Sequence, residues 1–271
     1  MNFRFAVNRA ARLFAPAALI VSGLLALGAA PAAAQTPTQS PTQAPTPEFL
    51  VQKMDEVMTF KTRVADATLN VTRDGKTETK TLRIWNRGWD DSYSEFLAPA
   101  RDKGVKYLKL EKNLYMFLPS TEKVVKISGH LLRQSVMDSD FSYEDMLEQR
   151  ALLQDYDAKM LGAEIVDGKD CWIIDLNAKN PGQTYARRKM WISKETFIPV
   201  KAERYAQSGL LLKTLTMSEV TEIGGRKFPL RMVMQDAARK GSQSEFTFAH
   251  MQFDLALPDD TFSRRRLMKG N

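Results

Sequence analysis

Cysteine and histidine are almost absent from this chain of 271 residues, which has one cysteine and two histidines. The single Cys171 excludes a disulfide within the chain, and its place in the apolar run CWII (171–174) indicates a buried thiol that packs as a small hydrophobic side chain. His130 and His250 form no H-x-x-x-H pair, and no G-x-S-x-G motif occurs. The sequence therefore offers little for a metal site or for a nucleophile paired with histidine.

Carboxylates are the remaining candidates for catalysis. Asp138, Asp140, Glu144 and Asp145 lie close together, and glycoside hydrolysis needs two carboxyl groups that face each other across a sugar. These acids fall in a turn and at a helix start, where acids are common for structural reasons. We therefore predict no catalytic residue, no cofactor, no metal ligand and no enzymatic activity.

The first residues contain no acid. Three arginines (Arg4, Arg9 and Arg12) precede an apolar run at residues 17–30, which AAAQ (32–35) follows. This order is typical of a secretory signal peptide, so we predict a signal peptide over residues 1–34 with cleavage after Ala34. The run is interrupted by glycine and is shorter than the roughly 20 residues that span a bilayer, which disfavours a retained anchor. No cysteine lies at the predicted cleavage site, so the chain is not expected to be a lipoprotein itself.

A spacer separates this peptide from the folded part. Residues 35–46 are rich in proline, threonine and glutamine and contain no charge or aromatic ring, which predicts a disordered linker. Thr46, Pro47 and Glu48 then form a helix start, and an apolar stripe follows at residues 50–58. We predict one domain over residues 47–271, beginning with a helix that has one apolar face.

From residue 66 onward the apolar period changes from 3.6 to 2, with turn signals about every ten residues. Asp74-Gly75, for example, is a strong hairpin signal. The pattern predicts a mainly β (α+β) fold: a strongly curved antiparallel sheet of about eleven strands that forms an incomplete β-barrel, with at least two helices on its apolar face.

The alternation predicts which residues lie on each face. The apolar face is expected to hold Trp172, Ile174, Leu176, Met190, Ile192, Leu215, Met217, Leu230, Met232, Met234, Phe246 and Phe248. The opposite, solvent-facing positions are expected to hold Arg187, Lys189, Arg204, Arg231, Gln235, Glu245 and Thr247. The apolar face is rich in methionine, which adapts to irregular surfaces. Two interpretations remain open, a solid core and a cavity that admits an acyl chain.

For the cavity, the candidate ligand-binding residues are Met116, Leu118, Met190, Ile192, Met217, Met232, Met234, Phe246 and Phe248. A short helix is predicted after the turn at residues 137–140, because Ser142 and Asp145 have the spacing of a capping box, with the Ser142 hydroxyl accepting an amide hydrogen bond. We expect Asp140, Ser142 and Asp145 to fix the start of this helix, which would cover the apolar face as a lid together with the helix that begins near Pro47.

The charge balance is mildly basic. The formal net charge is +7, of which three charges belong to the arginines of the predicted signal peptide. The two tight basic runs, at residues 187–189 and 264–266, are interpreted as a solvated strand face and a basic tail. Nucleic-acid binding is not predicted, while a role at a membrane surface or with an anionic partner stays open as an alternative.

Three segments carry a family resemblance. LPSTEKVVK (118–126), RQSVMDSDFSYED (133–145) and LPDDTF (257–262) resemble the outer membrane lipoprotein-sorting proteins, relatives of the LolA and LolB carriers. The resemblance covers nearly the whole domain. It implies an incomplete barrel in the periplasm whose hydrophobic concave side is covered by helices and holds acyl chains.

The expected function is accordingly that of a monomeric periplasmic carrier. Its partners would be lipid or lipoprotein acyl chains, with an inner-membrane transporter as a further candidate. The alternative is a periplasmic interaction or sensor module in which the same half-barrel is solidly packed and carries no lipid.

Overall fold

The computed structural model describes residues 44–147 and 151–269. The predicted signal peptide and most of the predicted linker lie outside the described residues. Helix α1 (Pro47–Met58) begins where its sequence predicts, because the Thr46 hydroxyl accepts a hydrogen bond from the amide of Phe49 at 3.2 Å and Pro47 occupies the first turn. Its buried face consists of Leu50, Val51, Met54 and Met58.

Thirteen strands follow α1 and form a single antiparallel sheet. They are β1 (Thr62–Arg73), β2 (Lys76–Arg87), β3 (Asp91–Ala98), β4 (Lys106–Leu110), β5 (Asn113–Leu118), β6 (Lys123–Ile127), β7 (Tyr156–Val166), β8 (Lys169–Ala178), β9 (Arg187–Ser193), β10 (Pro199–Tyr205), β11 (Leu211–Ile223), β12 (Arg226–Asp236) and β13 (Gln243–Phe253). The predicted curved, open sheet is confirmed. The sheet has thirteen strands, two more than the predicted count of about eleven.

The strand order shows two meanders joined at their inner strands. It runs β6-β5-β4-β3-β2-β1-β13-β12-β11-β10-β9-β8-β7. The first meander starts at the centre and ends at one edge, and the second starts at the other edge and returns to the centre, where β13 pairs with β1. The connection between β6 and β7 therefore has to pass from one edge of the sheet to the other.

Short helices cover both faces. They are a 3-10 helix (Gly129–Arg133), α2 (Tyr143–Leu147), α3 (Leu152–Asp155), a second 3-10 helix (Asp259–Phe262) and α4 (Arg264–Met268). On the concave face, α1 and α3 lie over the second meander, in a cluster that includes Leu50, Ile174 and Ile192. Residues 129–147, which we call the lid segment, cover the first meander through side chains such as Val136 and Tyr143.

The convex face of the first meander is covered by the end of the chain. Phe262 and Leu267 pack on Tyr93, Leu108 and Phe117. The prediction of a basic tail at residues 264–266 is therefore wrong, because the apolar Leu267, which is fully buried, ties this segment to the sheet as helix α4.

Candidate functional site

The concave face carries an apolar row at the middle of the sheet, where β11, β12 and β13 lie side by side. Met217 is the ladder partner of Met232, and Met232 is the partner of Phe246. Phe248 stacks on Phe246 with ring centroids 6.0 Å apart and ring planes 9° apart. All four side chains are half-buried. We call these four residues the central apolar strip.

The strip lies where the two covered halves of the sheet meet. Met217 and Met232 pack against the cluster under α1 and α3, whereas Phe246 and Phe248 pack against the cluster under the lid segment. Phe141 of the lid segment contacts both clusters, and its ring meets that of Phe246 edge to face at a centroid distance of 5.1 Å. The lid segment thus places one aromatic ring directly on the strip.

The other predicted ligand-binding residues fall into three environments. Met190, Ile192 and Met234 are buried in the core under α1 and α3. Met116 is half-buried against the core under the lid segment, and Leu118 is half-buried at the end of β5. The structure therefore brings four of the nine predicted residues together at the boundary between the two cores and distributes the others around it.

A buried ion cluster holds the lid segment at one end of the concave face. Asp145 of α2 accepts hydrogen bonds from Arg204 on β10 and Lys213 on β11, which are ladder partners. The Tyr185 hydroxyl and the backbone amide of Ser142 also donate to Asp145, each at 2.7 Å, as does the Ser142 hydroxyl at 2.8 Å. The side chains of Asp145, Arg204 and Lys213 are 4%, 5% and 10% exposed, so this is an ion cluster inside the protein.

Two arginines that the sequence predicts to face solvent are buried. Arg204 was expected on the solvent-facing side, but it shares the concave face with Ala202, two residues earlier on β10. Arg188, in the run expected to be solvated, is also buried, with its guanidinium 4.9 Å from the Tyr156 ring. The alternation rule assumes that charges face water, and it fails where a distant acid compensates a buried cation.

The helix start also differs in one respect from the prediction. The Ser142 hydroxyl does not cap an amide. It donates to Asp145 Oδ2 at 2.8 Å and accepts a hydrogen bond from the Lys213 ammonium at 3.1 Å. A charged donor beneath the hydroxyl outcompetes a backbone amide. The acid half of the predicted box does form, because Asp145 reaches back to the amide of Ser142.

The ion cluster keeps Asp145 charged. Burial alone would raise the pKa of Asp145, but the charges of Arg204 and Lys213 and the hydrogen bonds from Lys213 and Ser142 outweigh burial and hold that pKa well below its usual range. Burial and the Asp145 carboxylate raise the pKa of Tyr185, so its hydroxyl stays protonated and donates.

A second anchor fixes the lid segment to β13. The Asp140 carboxylate accepts hydrogen bonds from the Ser242 hydroxyl at 2.8 Å and the Ser244 hydroxyl at 2.6 Å, and the Asp140 amide donates to Ser244 Oγ at 2.8 Å. Arg239 adds a hydrogen bond to the Ser135 hydroxyl at 2.7 Å. The lid segment is therefore anchored at Asp140 and at Asp145, and residues 141–144 lie between these two anchors.

The sequence pattern does not predict the sheet residues of either anchor. These residues lie on the concave face, each two positions from an apolar residue: Lys213 from Leu215, Ser244 from Phe246, and Arg204 from Ala202. Side chains two positions apart on a strand lie on the same face of the sheet. A polar residue two positions from buried apolar residues is therefore the signal that could have identified them.

The described residues offer no alternative site for metal chemistry. Among them, no group of three or more histidine, cysteine, aspartate or glutamate side chains could hold a metal ion.

A groove of about 600 Å³ at the ends of strands in the second meander is lined by charged side chains. These pair with one another, Lys194 with Asp170 and Lys227 with Glu195. No helix in the described ranges is long and apolar enough to cross a membrane.

Replacing Asp145 with asparagine is expected to lower the free energy of unfolding by about 3 kcal/mol, because Arg204 and Lys213 would lose their buried counter-charge. Urea denaturation measures this change. Glu144→Gln, at the neighbouring position of α2, is the matched control and should stay close to wild type. A wild-type stability for Asp145→Asn would contradict the ion cluster.

The same cluster predicts a pH dependence. Because the pKa of Asp145 is lowered in the folded state, its charged form stabilises the fold at every pH above the unfolded-state pKa of about 3.9. This contribution is lost as the pH falls below that value. Urea midpoints measured from neutral to acidic pH should fall less steeply for Asp145→Asn than for wild type or Glu144→Gln. Parallel curves for all three proteins would refute the prediction.

Comparisons with known proteins agree with this fold. A family model described as "Uncharacterized protein" matches residues 88–269, which is about two thirds of the chain. A DUF1329 family protein from Desulfovibrio piger has a solved structure with 28% identity and a TM-score of 0.75; the match covers 81% of this chain and 96% of that one. A comparison with curated proteins finds no match.

Two further solved structures carry the names that the sequence segments suggest. A LolA superfamily protein from Nitrosomonas europaea is 25% identical with a TM-score of 0.68, over 82% of this chain and 100% of that one. A putative outer membrane lipoprotein-sorting protein domain from Vibrio parahaemolyticus shares the fold. It is 20% identical with a TM-score of 0.74, and the match covers 82% of this chain and 97% of that one. The predicted resemblance is confirmed: this chain belongs to the family whose model matches residues 88–269, and it is similar to solved structures of a DUF1329 family protein and a LolA superfamily protein.

Proposed function

We propose that this protein is a periplasmic, non-enzymatic carrier that binds lipid or lipoprotein acyl chains on the central apolar strip, beneath the lid segment. The observation that carries the proposal is the strip itself. Met217, Met232 and Phe246 form a half-buried row in register between two buried cores. A solid core would bury such residues completely, and a solvated face would not contain them.

The chemistry of the strip suits a flexible hydrocarbon. Methionine side chains are unbranched and polarizable, so they adapt to a chain with many conformations. Each methylene group that moves from water onto the strip contributes roughly 0.8 kcal/mol. Several methylene groups would therefore compensate for the cost of displacing the Phe141 ring from Phe246.

The two anchors determine what has to move. Phe141 follows Asp140 directly and precedes Asp145 by four residues, so both anchors restrain the ring that lies on the strip. Entry of an acyl chain then requires either rotation of the Phe141 side chain or release of one anchor. In this proposal Asp140, Ser142 and Asp145 position the lid segment and perform no chemical step.

The predicted signal peptide supports a periplasmic location, because it would direct the chain across the inner membrane. A carrier of this kind needs a donor and an acceptor for its cargo. We propose an inner-membrane transporter as the donor, with the protein acting as a monomer.

Met232→Asp should weaken the binding of a fluorescent fatty acid to the delipidated protein by roughly tenfold or more, because it places a carboxylate on the apolar strip. Gln235→Asp introduces the same group on the same strand at an exposed position and is the matched control. Titration of the probe fluorescence measures both affinities. Equal affinities would exclude the strip as the site, and no saturable binding by wild type would exclude an acyl cargo.

A second candidate function rests on the Phe141 ring. Because this ring already covers Phe246, the concave face could be a solidly packed module that engages a protein partner without lipid. Phe141→Ala distinguishes the two functions. A carrier should bind the probe faster after the ring is removed, which stopped-flow fluorescence measures. Leu131→Ala, elsewhere in the lid segment, is the control. Absence of probe binding in both variants would favour the interaction module.

A further inference from the structure

The convex face of the first meander carries an aromatic row under helix α4. Trp85, Tyr93, Leu108 and Tyr115 are successive ladder partners across β2, β3, β4 and β5, and Lys126 on the edge strand β6 continues the row. Helix α4 packs against β4 and β6, and Leu267 is fully buried there. This aromatic row gives the basic C-terminal segment a rigid support.

The arginines of α4 are positioned by these rings. The Arg264 guanidinium lies 4.5 Å from the centroid of Tyr115, and that of Arg266 lies 4.8 Å from the centroid of Tyr93. Cation–π contacts orient a guanidinium without neutralising its charge. The buried ammonium of Lys106 donates to the carbonyl of Lys269 at 2.6 Å and so fixes the end of the helix. Arg264 and Arg266 are therefore held in place by the aromatic row.

The outer surface of α4 displays cations together with one apolar side chain. Arg264, Arg265, Lys269 and Lys126 are exposed, and Met268 is 59% exposed. Within the described ranges no ion pair joins any of these four cations to an acid. Asp259 and Asp260 precede them in a 3-10 helix that packs on β3, β4 and α4, and among the described residues neither acid forms an ion pair with these cations. We call these four cations and Met268 the α4 surface.

We propose that the α4 surface docks the protein on an anionic phospholipid bilayer. Its unpaired cations complement the negative surface potential of such a bilayer, and each basic side chain near the surface strengthens binding. The exposed Met268 among the cations favours a membrane over a soluble polyanion, because only a bilayer offers an apolar interior below its charged headgroups. Docking through the convex face leaves the central apolar strip, on the concave face, unobstructed.

Sedimentation with lipid vesicles tests this surface on the purified full chain. Wild type is expected to bind vesicles of phosphatidylcholine and phosphatidylglycerol but not vesicles of phosphatidylcholine alone. The triple variant Lys126→Gln, Arg265→Gln, Lys269→Gln removes three exposed charges and spares Arg264 and Arg266, which pack on rings. It should reduce the partition coefficient roughly 100-fold, because each basic residue at an anionic surface contributes about a fivefold factor.

A matched control removes the same net charge elsewhere. Lys76, Lys159 and Lys240 are exposed at the β1–β2 turn, on the edge strand β7 and before β13, and their replacement by glutamine should leave most of the vesicle binding intact. Equal loss in both triple variants would assign the binding to net charge and overturn the α4 surface, as would absence of wild-type binding to anionic vesicles. Met232→Asp should bind vesicles like wild type, so failure of the carrier proposal and failure of this one are distinguishable.

Discussion

The pairing of β1 with β13 determines the rest of this architecture. It joins two meanders at their inner strands, so that the chain leaves each meander at an outer edge. In a flat sheet, the twelve intervals between β6 and β7 would separate these edges by roughly 58 Å, at about 4.8 Å per interval. The chain has 28 residues, 128–155, to connect them. The connection crosses the concave face, so the residues that join the two meanders also cover the sheet.

Buried charge then fixes where the connection lies. Apolar contacts alone would allow the lid segment to shift along the apolar concave face, because such contacts have little directional preference. The Asp145 carboxylate accepts from Arg204, Lys213 and Tyr185 at once, and a shift of one residue would break all three hydrogen bonds. Replacing such a cluster with apolar residues often costs no stability, so we attribute to it the position of the lid segment more than the stability of the fold. The position matters because Phe141 lies on the central apolar strip between the two anchors.

The parts of this molecule that depend on local sequence could be predicted, and those that depend on distant partners could not. Helix α1 starts at its predicted cap, and the apolar residues of β8, β9 and β12 lie on the predicted face, because period and capping are properties of a few neighbouring residues. Arg204 and Lys213 lie 59 and 68 residues from Asp145, and no periodicity connects them. The sequence predicts a tail in place of helix α4, because a single buried leucine among arginines gives almost no apolar pattern.

The central strand pair also bears on when the protein can fold. β1 lies near the start of the domain and β13 near its end, with Leu69 opposite Phe246, so the ladder that unites the sheet forms only after almost the whole chain is present. Contacts this distant in sequence slow folding, because the intervening chain must be ordered before they form. In a chain with the predicted signal peptide, this late pairing would delay completion of the fold until most of the chain has crossed the membrane.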